Sequence, residues 1–399
     1  MRAVPLALAA LLPAAALAQT PTAPINPPPS DNIELTPTPA QPPSPPFLSG
    51  NEIVFGGEFL AKLQGDVTTP NRSKTRVGVF TDAELNLYAN YGKWLSLNSQ
   101  IKLERARNNN IESYFPDRNT FFRSEIATLR QLYATVRPVQ GLSIYAGKIH
   151  PAFGSAWSDI MPGAFYNFGS DYEQDERIGL GIEYSFGNNK WIDDLRVSFE
   201  AFYLDTSVLS WSFPRGPSVF DPTVDRAWRN TRGQFGPSNT GGLNSYTVAI
   251  RGGEEGEGLM WQVSFTQQTS REPGARAETG QSVGASYDPT GNGMMLTSRL
   301  GVKPFLEYAH LDNFATVPGL ERHYVLGGLA FNYAKWNLAF AGGLRRSQGS
   351  FRNTDHQENA TLTYEILPRL QVGAGLNHVT LAGRGSWTVS PALSYAVKF

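Results

Sequence analysis

The chain is predicted to be all-β, a closed antiparallel β-barrel of about sixteen strands, from three observations. Apolar and polar residues alternate along one segment after another. Charged residues stand in mid-segment, where the packed core of a β-sandwich would reject them. The connections alternate between short turns and longer loops, as closed up-and-down barrels require.

In chain order, residues 1–18 hold one Arg and a short apolar run ending in Ala16-Leu17-Ala18 before Gln19, the pattern of a secretory signal peptide with its cleavage site. The run is too short and Ala-rich for a permanent membrane helix, so the chain is expected to be exported. Residues 19–49 are dominated by Pro and Thr, a composition that buries no core and favours extended polyproline conformations; this is read as a linker. Residues 50–399 are read as one barrel domain. The absence of Cys excludes disulfides, thiolate metal sites, a Cys nucleophile and a lipidated N-terminal Cys. A formal net charge of −1 gives no case for a nucleic-acid partner.

The alternation predicts strands at 53–66, 75–91, 94–106, 125–137, 141–148, 177–186, 193–206, 243–251, 258–270, 279–287, 295–311, 320–334, 336–347, 357–366, 370–381 and 386–399. In 94–104, Leu95, Leu97, Ile101 and Leu103 oppose Ser96, Asn98, Gln100, Lys102 and Glu104. In 177–186, Ile178, Leu180, Ile182, Tyr184 and Phe186 oppose Arg177, Glu183 and Ser185. The last strand alternates strictly, with Trp387, Val389, Pro391, Leu393, Tyr395, Val397 and Phe399 at odd positions against Ser386, Thr388, Ser390 and Ser394. Segment 125–137 has no consistent phase, because Arg130 and Leu132 share a parity.

Between these segments, short gaps such as 92–93, 138–140, 335 and 367–369 alternate with long ones at 107–124, 149–176, 207–242, 312–319 and 348–356. An even strand number suits a bacterial outer-membrane barrel, with short turns in the periplasm and long loops outside, which places both termini in the periplasm. Tyr88, Tyr91, Trp94, Tyr184, Phe186, Tyr333, Trp336, Tyr395 and Phe399 fall near turn ends, where amphipathic rings prefer the headgroup level.

A cylinder of this width leaves an aqueous interior, and Arg or Lys on its lipid face at the midplane costs roughly 2–4 kcal/mol. Lys62, Lys102, Arg196, Arg251, Arg299, Lys303, Arg322 and Arg345 are therefore expected to line the lumen, with Asp82, Glu84, Glu104, Glu183 and Glu307 as lumen acids. Acids weighted to the early strands and bases to the second half are compatible with mixed solvated charge or with a transverse field across a constriction. The third long loop, 150–176, is apolar for a solvated loop. Folded inward, it would pack Phe153 and Trp157 on the wall and turn Asp159, Asp171, Glu173 and Asp175 toward basic strands; the alternative is a lid across the mouth.

Three features make the sequence resemble Gram-negative outer-membrane porins of the general-porin type: the signal followed by a Cys-free alternating domain, Pro151-Ala152-Phe153-Gly154-Ser155 opening the third long loop, and Tyr395-x-x-x-Phe399 closing the chain. General porins carry a similar Pro-acid-Phe-Gly-Gly stretch where their third loop enters the barrel. Here Ala152 replaces the acid and Ser155 the second Gly, so the loop path is not carried across. The resemblance implies passive diffusion of small hydrophilic solutes and ions, no cofactor, surrounding outer-membrane lipid and lipopolysaccharide, a homotrimer, and an assembly signal at Tyr395 and Phe399. It implies no catalysis. Two alternatives stay open: a channel specific for phosphate, a sugar or a siderophore, and a barrel hydrolase using Ser386 with His378. The five His residues show no close metal-ligand spacing in sequence, so no metal is expected.

Overall fold

The computed structural model describes residues 52–71, 74–105, 119–122, 125–156, 168–187, 194–213, 230–253, 258–288, 294–297, 300–349 and 352–399. Sixteen long strands form the wall: β1 Ile53–Pro70, β2 Arg76–Tyr91, β3 Leu95–Arg105, β4 Glu125–Val139, β5 Leu142–Ile149, β6 Arg177–Ser185, β7 Arg196–Leu204 and β8 Ser245–Gly252, then β9 Gly258–Gln268, β10 Glu278–Asp288, β11 Leu300–Asp312, β12 Glu321–Tyr333, β13 Trp336–Gln348, β14 Asn353–Leu367, β15 Leu370–Leu381 and β16 Arg384–Lys398. Each pairs antiparallel with its neighbours, and β1 pairs with both β2 and β16, so the sheet closes on itself and keeps no edge.

The faces follow the alternation. On β3, Leu97 and Ile101 are exposed outward, whereas Ser96, Asn98 and Gln100 are buried inward. On β6, Leu180, Ile182 and Tyr184 are exposed and Glu183 is buried. Outward rings gather at the short-turn end, in the edge-to-face pairs Tyr91–Trp94 and Tyr184–Phe186 and in the Trp336–Tyr364 pair. Tyr88 departs from that group. It shares the inward face with Asn90 and lies over Gly56, where an added Cβ would come within 2.2 Å of its hydroxyl. Phe399 closes the seam: its N–H donates to Gly57 O and its carbonyl accepts from Gly57 N.

The elements depart from the sequence reading at several places, among them the end of β1 at Pro70 rather than 66. The stretch 295–311 is not one strand: Met294–Thr297 doubles back antiparallel on the start of β11, which begins at Leu300. The consecutive Met294, Met295 and Leu296 carry no phase that would separate a hairpin arm from a longer strand. β14 begins at Asn353 rather than 357, because its first turns of alternation oppose Asp355 and Gln357 to His356 and Glu358, polar on both faces. β4 carries a bulge. Gln100 pairs with Gln131 and Ile101 with Leu129, which leaves Arg130 as the extra residue and resets the parity between Thr128 and Gln131. The phase conflict between Arg130 and Leu132 is the sequence trace of that bulge.

At the long-loop end not every connection is long. Ala382 and Gly383 join β15 to β16 with φ of 49° and 74°, the positive pair of a type I′ hairpin turn. A second irregularity matters more for the interior. β5 ends at Ile149, so the upper part of β4 lacks its β5 partner. The segment after β7 takes that place, with Ala127 and Phe213 exchanging backbone hydrogen bonds of 2.7 and 2.8 Å. Lys148 is buried beneath it, 3.0 Å from Asp205, 3.5 Å from Glu176 and donating to Leu209 O.

Candidate functional site

The chain leaving β5 turns into the barrel, and inward-facing groups of successive strands hold it. Ala152 N–H donates to Glu200 on β7 at 3.1 Å, Gln262 on β9 donates to Ala152 O and Gly154 O, and Gly154 N–H donates to Ser264 Oγ. Glu307 on β11 is the principal anchor. It accepts from Ser155 N at 2.6 Å, Ser155 Oγ at 2.5 Å, Ala156 N at 3.1 Å and the Tyr172 hydroxyl. Burial and the neighbouring Glu307 carboxylate hold the Tyr172 phenol well above its ordinary pKa, so it remains the donor.

The wall makes room for this loop with small residues. A Cβ at Gly280 would lie 2.6 Å from the Phe153 ring, and one at Gly284 would lie 2.8 Å from Glu307 Oε2 and Ser155 Oγ. Gly154 sits at φ +69°, and a Cβ there would meet the Tyr172 ring at 2.6 Å, so its glycine is required by both backbone and space. Phe153, Phe168 and Tyr172 pack with Phe305, Leu311, Tyr324 and Leu326 into a buried apolar cluster on the inner wall. The loop then returns. Gln174 bridges Thr247 and Thr266, Asp175 pairs with Arg130 on β4, and Glu176 pairs with Lys148.

The charged groups pair locally. Asp171 lies 2.7 Å from Arg345 and 3.3 Å from Arg322 and accepts from Tyr324, and Arg345 also reaches Asp355 at 2.6 Å. The Arg345 guanidinium stands 4.8 Å over the Phe168 ring. Lys62 lies 3.7 Å from Asp82, Lys303 2.7 Å from Asp288, and the pairs Arg251–Glu183, Arg196–Asp194 and Arg130–Glu104 also form. Lys102 faces Glu84 across β2 and β3, within the field of Asp82 and Glu104. Glu84 accepts from Asn86 and Gln100.

Of the expected loop residues, Pro151, Phe153 and Gly154 stand at the entry, and Asp171 and Asp175 engage basic strands. Glu173 is half-buried in the field of Arg130. Trp157, Asp159 and Arg299 lie outside the described residues. Among the described acids and bases, opposite signs meet on neighbouring strands, as in Lys62–Asp82 and Lys303–Asp288, across one intervening strand, as in Arg251–Glu183, or across the loop, as in Arg345–Asp171. Sequence reasoning missed Arg130, Gln262 and Ser264 as loop anchors. Only Arg130 left a signal, its broken parity.

The other chemistries fare differently. Ser386 is buried inward beside Val379, whereas His378 faces outward and stacks on Trp387 at 4.4 Å, so this Ser–His pair is not assembled. His150, just beyond β5, has its pKa lowered to about 3 by burial and by Arg130, Arg177 and Lys102, and is neutral at ordinary pH. Among the described residues, two clusters of metal-ligating type do form across strands: His310, Glu321 and His323, and His356, Glu358 and His378, each with its donor atoms within 4.8 Å of one another. The sequence spacing concealed both, because cross-strand register rather than a local motif brings them together.

No protein-family model matches the chain, and no curated protein matches it in sequence. Solved structures do match in fold. The outer membrane channel DcaP of Acinetobacter baumannii superposes with a TM-score of 0.54 at 12% identity, over 87% of this chain and 97% of that one. OmpF of Salmonella typhi in complex with daunomycin gives 0.53 at 12% identity, over 87% and 98%. An anion-selective porin from Comamonas acidovorans gives 0.51 at 11% identity, over 87% and 99%. At these identities the likeness is one of architecture: the chain has the closed antiparallel barrel fold of outer-membrane porins.

Proposed function

We propose that the chain is an outer-membrane porin, a water-filled channel for passive diffusion of small hydrophilic solutes and ions, narrowed by the loop 150–176. The observation that carries this reading is the sidedness of the closed wall. Leu97, Ile101, Leu180 and Val389 are exposed outward in an apolar band, while Asn98, Gln100, Thr247 and Thr388 face in, an arrangement that suits hydrocarbon outside and water within. The loop's attachment to Glu307, Arg345 and Arg130 supports a constriction rather than a lid.

In this reading residues 1–18 are the export signal, 19–49 a periplasmic linker, and both chain ends of the barrel face the periplasm. Outer-membrane lipid and lipopolysaccharide surround the wall, and Tyr395 with Phe399 serves as the assembly signal. The porin resemblance further implies a homotrimer, which native mass in detergent would decide. A solute-specific channel gains no support from the basic residues, since Arg322 and Arg345 are engaged by Asp171.

The test is planar-bilayer conductance of the refolded chain, with liposome swelling for solutes of graded size. Stepwise conductance and a flux that falls with solute size without saturating are expected. Absence of channels overturns the function, and saturable block by one solute moves it to the specific class.

A further inference from the structure

The outward wall carries a feature that a channel does not require. Near the long-loop end of β11 and β12, His310 and His323 stand directly opposite in the strand register, with their rings parallel to within 6° and 4.3 Å apart. Glu321, two residues before His323 on the same face, brings a carboxylate to within 4.8 Å of both imidazoles. We propose that His310, Glu321 and His323 form a binding site for a divalent transition-metal ion of the zinc class on the outer surface of the barrel.

The donor set is of the right kind. Two imidazoles and one carboxylate are the three protein ligands of many four-coordinate zinc sites, with the fourth position left to water or another oxygen donor. The surroundings also fit. Tyr308 OH lies 3.0 Å from His323 Nδ1, which fixes that ring and leaves Nε2 as its ligand atom, as partners beyond the ligands do at metal centres. His310 Nε2 is covered from water without a hydrogen-bond partner, and the nearest acid in contact with it, Asp312 Oδ1, is 3.5 Å away. A buried ring nitrogen with no hydrogen bond, beside a second imidazole and a carboxylate, is satisfied by a cation. The site would tie β11 to β12 at the rim.

The neighbouring cluster of His356, Glu358 and His378 makes an internal control. There His378 Nδ1 is already 2.6 Å from Glu358 Oε2, its ring lies on Trp387, and Glu358 is largely exposed. That cluster is closed by its own hydrogen bond.

The test uses the full chain folded in detergent, titrated with Co²⁺ alone and followed by visible absorption, then displaced with Zn²⁺. Saturable binding with the strong band of a low-symmetry, four-coordinate ion is expected. It should disappear in His310→Ala/His323→Ala, weaken about tenfold or more in Glu321→Gln, and persist in His356→Ala/His378→Ala. Folding of each variant is checked by its heat-shifted gel mobility, and His323→Gln carries the test if the double variant does not fold. No saturable binding, or binding that survives removal of both His310 and His323, overturns the proposal. So does a band lost only with His356 and His378, which would place the ion at the other cluster.

Discussion

His150 shows how a single residue reports the inside of the wall. Its imidazole is desolvated and faces Arg130, Arg177 and Lys102, so the folded chain resists protonating it down to about pH 3, whereas an unfolded chain protonates near 6.5. The sign follows from linkage: the contribution to stability is complete above about pH 6.5 and is lost progressively as pH falls toward 3, because only the unfolded state takes up the proton. Wild-type barrel is therefore expected to melt at lower temperature as pH drops from 7.5 to 4.5, and His150→Gln to do so less steeply, read from heat-modified gel mobility. Equal slopes would exclude this role. At this scale the inward direction of Lys102, Lys303 and Arg345 was legible, because each sits inside a regular alternation and would be costly against lipid. The ring of Tyr88 was legible too, from its parity with Asn86 and Asn90, and only the weight given to its place near a turn obscured that. Glu307 was legible as an inward acid but not as a hub, since its donors arrive from residues about 135–152 positions away.

Among elements, the inward loop is held by inward-facing groups of several strands. Glu307 gathers four donors from it, and removing the carboxylate strands buried N–H and O–H groups at roughly 1–3 kcal/mol each. Glu307→Ala is expected to lower thermal resistance and to raise single-channel conductance as the loop detaches. A variant with unchanged conductance would show that the loop is held by its apolar cluster instead. The strands themselves were legible because period-two alternation records which face meets oil. The exceptions arose where that record is blank: both faces of early β14 are polar, Met294–Leu296 is apolar without phase, and the Arg130 bulge changes phase within a strand. The loop path was not legible, because nothing periodic describes a segment fixed by contacts with β4, β5 and β7 through β13.

For the whole molecule, closure determines what the interior can be, and local pairing determines its net field. Asp171 partly neutralises Arg322 and Arg345, so Asp171→Asn is expected to leave two cations less compensated and to move the reversal potential in a KCl gradient toward anion preference. An unmoved potential would mean that permeating ions do not sense these residues. A tube one sheet thick bends easily out of round, yet here one stretch of chain is fastened at Arg130 on one side and at Glu307 and Arg345 on another, as a tie rod braces a hoop. In the proposed channel, release of a fastening is expected to widen the bore in a step rather than by gradual flexing of the hoop.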